Sequence, residues 1–315
     1  MIHVENLTKD YGEIKAVKGI NFTVNDGEIL GFLGPNGAGK STTLRIMTTF
    51  LAPTSGTVTL DGYSIHEHPT EVRRRIGYLP ELNPLYGDMV VHDLLKFVAG
   101  VRGITGKAFK SALGRVMGVC GIGEVMHRTV RELSKGYKQR VGLAMAIIHD
   151  PEILILDEPS AGLDPNQIVE IRQLIKDLGK EKTVILSSHI LQEVQAVADR
   201  MIILNNGEVV ADGTNAELMA SFQGKAQLIM EVKNASAASI KALPQKIPDI
   251  SIQGQSAHGN VRRVQLEYPT GHDLREQVFK YAVESGWTIL EMSRQQAQLE
   301  DVFRSLTLME GGRDA

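Results

Sequence analysis

The chain has almost no cysteine, little net charge and no long apolar run. Its single cysteine, Cys120, excludes an internal disulfide and is typical of a reducing compartment. No segment has the roughly 18 to 20 uninterrupted apolar residues needed to cross a bilayer, and the amino terminus has no signal-peptide pattern. A formal net charge of −3 gives no general basic surface, although Arg73, Arg74 and Arg75 form a local basic run. We therefore expect a cytoplasmic protein that binds no nucleic acid and that reaches a membrane only by docking on another chain.

One glycine-rich segment, residues 34–42, has the spacing of a P-loop. It fits Gly-x4-Gly-Lys-Ser/Thr and lies between an apolar run, Ile29–Leu33, and the start of a helical pattern. Glycines let the backbone N–H groups turn towards phosphates, and the positive end of the following helix adds a favourable field. Lys40 can then reach the β- and γ-phosphates, and the Ser41 hydroxyl can ligate Mg²⁺. The residues expected to bind the nucleotide are Asn36, Gly37, Ala38, Gly39, Lys40, Ser41 and Thr42.

A second cluster follows the apolar residues 153–156, which have the composition of a buried parallel strand. That run ends on Asp157 and Glu158. Ligands gather at the carboxyl ends of strands in an open α/β sheet, so both carboxylates are expected to face the phosphates. Asp157 is the expected Mg²⁺ partner, directly or through water, and Glu158 is placed to polarise an attacking water. The alternative is a solvated turn without a catalytic role.

Two further segments are ambiguous on their own. Ser134 and Gly136 precede a helical pattern, where they form either a second phosphate-binding surface or a plain helix cap. His189 follows the buried strand predicted at residues 183–187, where it is either an ordinary cap or a functional group. Tyr11 lies in the predicted turn between the first two strands, expected at residues 2–5 and 19–24. By position alone it is a packing residue.

Five motifs follow one another along the chain in one order. They are the P-loop, Leu-Ser-x-Gly from Leu133, the strand ending on Asp157 and Glu158, Ser-Ala-Gly-Leu-Asp at residues 160–164, and Ser-Ser-His ending at His189. In this order and spacing, residues from about 2 to 220 resemble the ATP-binding cassette (ABC) ATPases. Within the family, residues 76–81 and 299–303 resemble the ATPase subunits of bacterial type-2 exporters, including the gliding-motility branch.

The resemblance implies an α/β fold of the P-loop NTPase class. It comprises a RecA-like core, an antiparallel β layer and a helical subdomain at about residues 88–149, together forming an ABC nucleotide-binding domain at residues 1–220. The cofactors implied are ATP and Mg²⁺. Lys40, Glu158 and His189 take catalytic roles, with His189 contacting the γ-phosphate, and Tyr11 stacks on adenine.

The resemblance also implies a nucleotide-dependent, head-to-tail homodimer, in which Ser134 and Gly136 of one copy close the site of the other. Glu81 stands where most ABC ATPases have glutamine, and it is expected near both the nucleotide and Mg²⁺. In the Leu-Ser-x-Gly motif, Lys135 and Tyr137 replace the usual glycine and glutamine. Lys135 either adds a cation to the composite site or points to solvent.

The function implied is ATP hydrolysis by a subunit of a membrane ABC exporter, driven by ATP-dependent dimer closure. A transmembrane permease would dock on the apolar surface at residues 81–97 and hold the subunit at the inner face of the cell membrane. A soluble ABC ATPase that acts as a nucleotide-dependent switch is the alternative, and a small-molecule kinase would share only the P-loop.

Beyond residue 220 the sequence carries no catalytic motif. With 315 residues, the chain is long enough for two domains. The pattern predicts β-α-β-β-α-β and a final helix near residues 299–306, which is typical of a small ferredoxin-like α+β accessory domain at residues 221–315. Its role is either regulatory, dimerising or simply stabilising. The predicted elements are strands at 226–232, 250–253, 261–266 and 288–292, and helices at 236–243 and 273–285.

Overall fold

The computed structural model describes residues 1–222, 226–269 and 273–295, together with Phe303. The chain divides into two compact units, one of which contains Met1–Asn215 while the other begins at Ala216. The sequence placed this boundary at residue 220. The helix expected near residues 299–306 lies outside the described residues, apart from Phe303. Among the described residues, no helix is both long and apolar enough to cross a membrane.

The first unit contains ten strands and most of the helices. In chain order its elements are β1 (Ile2–Tyr11), β2 (Ile14–Val24), β3 (Ile29–Leu33), α1 (Lys40–Met47), β4 (Ser55–Leu60), β5 (Tyr63–Ser64), α2 (Pro69–Arg75), β6 (Ile76–Leu79), α3 (Val91–Val101), α4 (Gly106–Cys120), two 3-10 turns (Gly123–Val125 and Val130–Glu132), α5 (Lys135–Ile147), β7 (Ile153–Asp157), α6 (Pro165–Gly179), β8 (Thr183–Ser188), α7 (Leu191–Gln195), β9 (Arg200–Asn205) and β10 (Glu208–Gly213). Helix α8 (Asn215–Phe222) begins at Asn215, and its other residues belong to the second unit.

A six-stranded sheet in the order β10-β9-β3-β8-β7-β6 forms the centre of the first unit. All neighbours in it are parallel except β10, which pairs antiparallel with β9. Every residue of β3, β7 and β8 is buried, as the continuous apolar runs predicted. Because β3, β7 and β8 are parallel neighbours, their carboxyl ends meet at one edge of the sheet, and the segments that follow them are brought together there.

An antiparallel layer, β2-β1-β4-β5, packs on this sheet and shares a hydrophobic core with it. Phe22 of β2 and Phe32 of β3 meet edge to face, with their ring centroids 5.1 Å apart. The predicted bounds of the first two strands were too short. β1 continues past Glu5 through a register shift between Val4 and Leu7, which interrupts the alternation that the prediction relied on.

Helices α3, α4 and α5 pack together between β6 and β7 in the chain, in the region expected to be helical. Cys120, the last residue of α4, is fully buried. Burial raises the pKa of its thiol to about 12, so Cys120 is a packing residue and not a reactive one.

The second unit has the predicted order of elements, with longer strands. They are β11 (Ala226–Lys233), α9 (Ala237–Lys246), β12 (Ser251–His258), β13 (Val261–Tyr268), α10 (Arg275–Glu284) and β14 (Thr288–Gln295). Its antiparallel sheet has the order β12-β13-β11-β14, a split β-α-β arrangement. Leu228, Val264, Val278 and Trp287 are among the buried residues of its separate core.

Candidate active site

The loop between β3 and α1 has the geometry of a phosphate cradle. Gly39 caps α1 at φ 100°, and a Cβ atom there would lie 2.5 Å from the carbonyl oxygen of Ala16. Only glycine fits this position. The ammonium group of Lys40, on the first residue of α1, donates to the carbonyl oxygens of Gly34 (2.8 Å) and Pro35 (3.2 Å). Lys40 is therefore curled back over its own loop, where phosphate oxygens would lie.

Asp157, at the end of β7, is completely buried and joins three elements. Its Oδ1 accepts hydrogen bonds from the hydroxyls of Ser41 (2.9 Å) and Ser187 (2.7 Å). Its Oδ2 is buried without a hydrogen-bond partner. A buried carboxylate oxygen with no donor is rare in proteins, and here it belongs to a carboxylate whose other oxygen accepts from the Ser41 hydroxyl. Carboxylate and hydroxyl oxygens are ligands that Mg²⁺ accepts, so these residues fit the predicted cation.

Glu158 adopts a left-handed backbone conformation, with φ 49°. Its N–H donates to the hydroxyl of Ser187 (2.9 Å), and its side chain is held between two other groups. Oε1 is 3.5 Å from Nζ of Lys40, and Oε2 is 2.9 Å from Nδ1 of His189. Glu158 is 7% exposed, whereas the side chain of His189 is 45% exposed. A buried carboxylate thus lies between the P-loop lysine and an accessible imidazole.

A cavity of about 730 Å³ opens above this cluster, within the size range of small-molecule sites. The predicted residues that line it are Asn36, Gly37, Ala38, Gly39, Lys40, Ser41, Thr42, Glu81, Glu158 and His189. Its lining also includes Ile14, Lys15, Ala16 and Lys18 of β2, together with Ala161 and Asn206, which the sequence reasoning missed. The β2 residues follow directly after the Tyr-Gly turn, and that adjacency was the available signal.

Tyr11 does not line the cavity. It is the last residue of β1 and not part of the turn as predicted, and it is 48% exposed. The ammonium group of Lys9 lies 5.3 Å from the centroid of its ring, in the range of a cation–π contact. Stacking of Tyr11 on adenine stays a prediction.

Ser134 and Gly136 also lie away from this cavity. Ser134 is exposed and caps α5, where its hydroxyl accepts the N–H of Tyr137 (3.3 Å). Gly136 is buried against the amide of Gln167, which a Cβ atom at residue 136 would approach to 2.7 Å. The ammonium group of Lys135 lies over Gly162 of the same chain. A Cβ atom at residue 162 would be only 2.0 Å from Nζ of Lys135.

Glu81 is exposed and connects two cavities. It lines the cavity above the P-loop and a second one, of about 520 Å³, bordered by Leu82, Lys135 and Gln139. Glu81 is thus shared by the lining of both cavities, the second of which also includes residues of α5. On the neighbouring β6, burial and then the charge of Asp157 raise the pKa of Tyr78 to about 12, so its phenol stays neutral.

The geometry agrees with comparisons to known proteins. A family model described as "ABC transporter" matches residues 17–161. An ABC transporter ATP-binding protein of Bacillus subtilis, YxlF, is 33% identical over 96% of this chain and 98% of its own length. The bacitracin transport ATP-binding protein BcrA of Bacillus licheniformis is 37% identical over 73% of this chain and 78% of its own length.

Solved structures show the same fold. The ATP-binding cassette MJ0796, in a dimeric post-hydrolysis state bound to ADP and Pi, matches with a TM-score of 0.63 at 27% identity and covers 68% of this chain and 98% of its own. An ATP-binding subunit of an ABC transporter matches with a TM-score of 0.64 at 29% identity, over 70% of this chain and 93% of its own. The chain belongs to the ABC transporter family as an ATP-binding, ATP-hydrolysing subunit, and the predicted P-loop α/β fold is confirmed.

Proposed function

We propose that this ATPase drives a membrane exporter and hydrolyses Mg²⁺-ATP at the carboxyl ends of β3, β7 and β8. The observation that carries the proposal is the convergence of Lys40, Glu158 and His189 at one cavity, with the buried Asp157 directly behind it and bonded to Ser41 of its lining. These groups supply a phosphate-binding cation, an oxygen ligand for a metal, a base and an imidazole. A nucleotide switch without turnover would have no use for a base held 2.9 Å from an imidazole.

In this proposal the P-loop amides and Lys40 bind the triphosphate. Ser41 and Asp157 hold Mg²⁺, with Glu81 near enough to the cavity to contribute an oxygen directly or through water. Mg²⁺ would supply charge neutralisation at the β- and γ-phosphates. Among the described residues, no group of three or more His, Cys, Asp or Glu side chains is arranged to hold a metal ion. Phosphate oxygens would therefore complete the coordination, as is usual for Mg²⁺.

Glu158 accepts the proton of the attacking water, and His189 orients Glu158 through Oε2 while contacting the γ-phosphate. The low exposure of Glu158 favours this role, because a buried carboxylate surrounded by fixed dipoles needs little reorganisation. Lys40 is shared between Glu158 and the phosphates. ATP binding must therefore displace or share the ion pair that Lys40 makes with Glu158.

We propose a head-to-tail homodimer with two bound ATP molecules, which closes on ATP and reopens after hydrolysis. Ser134 and Gly136 lie outside the cavity of their own chain, and Ser134 is exposed and able to contact a second copy. The solved MJ0796 cassette, which resembles this chain, is dimeric. A pair of this kind is related by a two-fold axis and is closed, because each copy gives its Leu-Ser-x-Gly motif to its partner and receives the partner's motif in return.

The permease is proposed to dock on the apolar surface at residues 81–97. Leu82 is 85% exposed, Tyr86 57% and Phe97 50%, and the rings of Tyr86 and Phe97 meet edge to face with centroids 6.1 Å apart. Such clustered exposed apolar side chains are typical of an interaction surface. Docking there would place the subunit at the inner face of the cell membrane. The name of the similar protein BcrA, a bacitracin transport ATP-binding protein, supports a transport role.

The test uses the subunit co-expressed with a candidate permease, chosen as a membrane protein of several predicted spans whose gene adjoins that of this subunit. Wild-type protein should co-purify with that protein in detergent, and reconstitution with it should change the rate of ATP hydrolysis. Leu82→Glu and Phe97→Glu should abolish co-purification and leave basal hydrolysis unchanged. Val169→Glu is the matched control, because Val169 is a 63% exposed apolar residue on α6. Hydrolysis that is indifferent to every membrane partner would favour the soluble switch instead.

A further inference from the structure

A buried carboxylate on α7 has no part in the chemistry described so far. Glu193 is 6% exposed, and its Oε2 accepts two hydrogen bonds, from the hydroxyls of Ser160 and Ser188, both 2.9 Å long. Within the described parts of the chain, no lysine, arginine or histidine forms an ion pair with Glu193. A buried carboxylate is costly to desolvate, so its retention here calls for a specific role.

The two serines belong to the two segments that carry the proposed catalytic pair. Ser160 lies two residues after Glu158, and Ser188 immediately precedes His189. Ser188 also accepts the N–H of Ile190 (3.1 Å), so its hydroxyl fixes the backbone on both sides of His189. One oxygen of Glu193 therefore ties the turn after β7 to the turn after β8.

Both catalytic side chains depend on these turns for their direction. Glu158 has a left-handed backbone, an unfavourable conformation for a residue with a side chain unless its surroundings hold it. Its turn is anchored on other sides by Ser187, which accepts the N–H of Glu158, and by Gln139, which donates to the carbonyl oxygen of Pro159 (2.8 Å). The two bonds that Glu193 accepts add a further link between this turn and the His189 segment, beside the direct contact of Glu158 with His189.

We propose that Glu193 is a positioning residue for ATP hydrolysis, which holds Glu158 and His189 in register by receiving Ser160 and Ser188 on one oxygen. The inference rests on the proposed roles of Glu158 and His189. Glu193 does not line the cavity, so it acts on the rate of hydrolysis and not on nucleotide binding. Because charge-assisted hydrogen bonds to a buried carboxylate are strong and directional, the link is stiff enough to preserve the contact between Glu158 and His189.

Steady-state kinetics of the purified full-length protein tests the proposal. Glu193→Ala should lower kcat about tenfold or more, as loss of alignment does, with KM for ATP within about threefold of wild type. Glu193→Gln should restore most of kcat, because a carboxamide oxygen still accepts a hydroxyl. Glu152→Ala, which removes an exposed carboxylate just before β7, is the matched control and should have no effect. Wild-type kcat in Glu193→Ala would overturn the proposal, as would equal losses in the alanine and glutamine variants.

A second set of variants separates positioning from general stability. Ser160→Ala combined with Ser188→Ala should reproduce the kcat loss of Glu193→Ala, and it serves as the test if Glu193→Ala does not fold. In a His189→Ala background, Glu193→Ala should cost much less than in wild type, because the two act through one contact. Additive losses would contradict the proposal. Inactivity of Glu158→Gln, measured alongside, shows that the proposed base is correct, so failure of that assignment is distinguishable from failure at Glu193.

Discussion

Replacing Glu158 with glutamine should change ATP binding as well as hydrolysis. From the role assigned to Glu158 alone, the variant would lose the base and bind ATP normally. The structure adds an ion pair, because Oε1 of Glu158 is 3.5 Å from Nζ of Lys40 and both side chains are buried. At an effective dielectric constant of about 20, that separation corresponds to a gross attraction of about 5 kcal/mol.

Only part of this energy can appear in ATP affinity. Lys40 keeps its two bonds to carbonyl oxygens in the variant, and both charges are partly desolvated already. The glutamine side chain also removes a negative charge next to the γ-phosphate. We expect a net gain of about 1 to 2 kcal/mol, or a roughly 5- to 30-fold lower Kd for ATP.

Hydrolysis should fall by about two to four orders of magnitude, because an amide cannot accept the proton of the attacking water. Equilibrium titration with a fluorescent ATP analogue measures the first effect, and single-turnover hydrolysis measures the second. The tightly bound ATP should also trap the dimer on size-exclusion chromatography. Unchanged turnover would show that the base is another residue, and weaker ATP binding would refute the argument from the Lys40 ion pair. Glu152→Gln should match wild type in both assays.

Three further predictions concern other groups. Lys40→Ala should weaken Mg²⁺-ATP binding by about one to two orders of magnitude, because a hydrogen bond from a charged group to the phosphates is lost. Wild-type affinity of this variant in an equilibrium titration would contradict the P-loop assignment. Glu81→Gln should stay active, whereas Glu81→Ala should lose Mg²⁺-dependent turnover without a change in nucleotide affinity. Measuring the rate of hydrolysis against Mg²⁺ concentration, with and without the permease, tests both expectations. Burial, followed by the charge of Arg102, lowers the pKa of His149 from 6.5 to about 4. As the pH falls, His149 is therefore protonated in the unfolded chain before it is protonated in the folded protein. The free energy of unfolding should drop by about 1 kcal/mol between pH 7 and pH 5 for this reason, allowing for the partial exposure of the ring. Urea unfolding at the two pH values should show a correspondingly smaller drop for His149→Gln.

The groups proposed to contact phosphates could be predicted because each follows a pattern that can be recognised without tertiary information. The P-loop has a fixed spacing, and Asp157 and Glu158 end a strand too apolar to be exposed on either face. The register of β7 and β8, which pairs Asp157 with Ser187, then brings the two strand ends together. Parallel strands in a doubly covered sheet leave little freedom for another arrangement, so local sequence was sufficient here.

Other parts of the site depend on contacts that no local pattern encodes. Lys15 and Ala16 line the cavity because β2 passes under the P-loop, and that proximity follows from packing of the antiparallel layer on the central sheet. The extent of β1 was missed because Asn6 has a positive φ at a register shift, which breaks the two-residue alternation. Glu193 was not predicted to have a role, because a glutamate on a short helix is usually exposed to solvent.

The positions of the candidate-site residues along the chain set the order in which these residues are synthesised. Lys40 leaves the ribosome first, Glu158 follows much later, and His189 and Glu193 come last. At typical rates of translation, the interval between Lys40 and His189 is on the order of ten seconds. In the last part of that interval, between the synthesis of Asp157 and that of Ser187, the end of β7 lacks the hydroxyl that donates to Asp157 and accepts the N–H of Glu158. The nascent chain therefore carries the P-loop before the proposed base is fixed, and we expect it to become able to consume ATP only after β8 has joined the sheet.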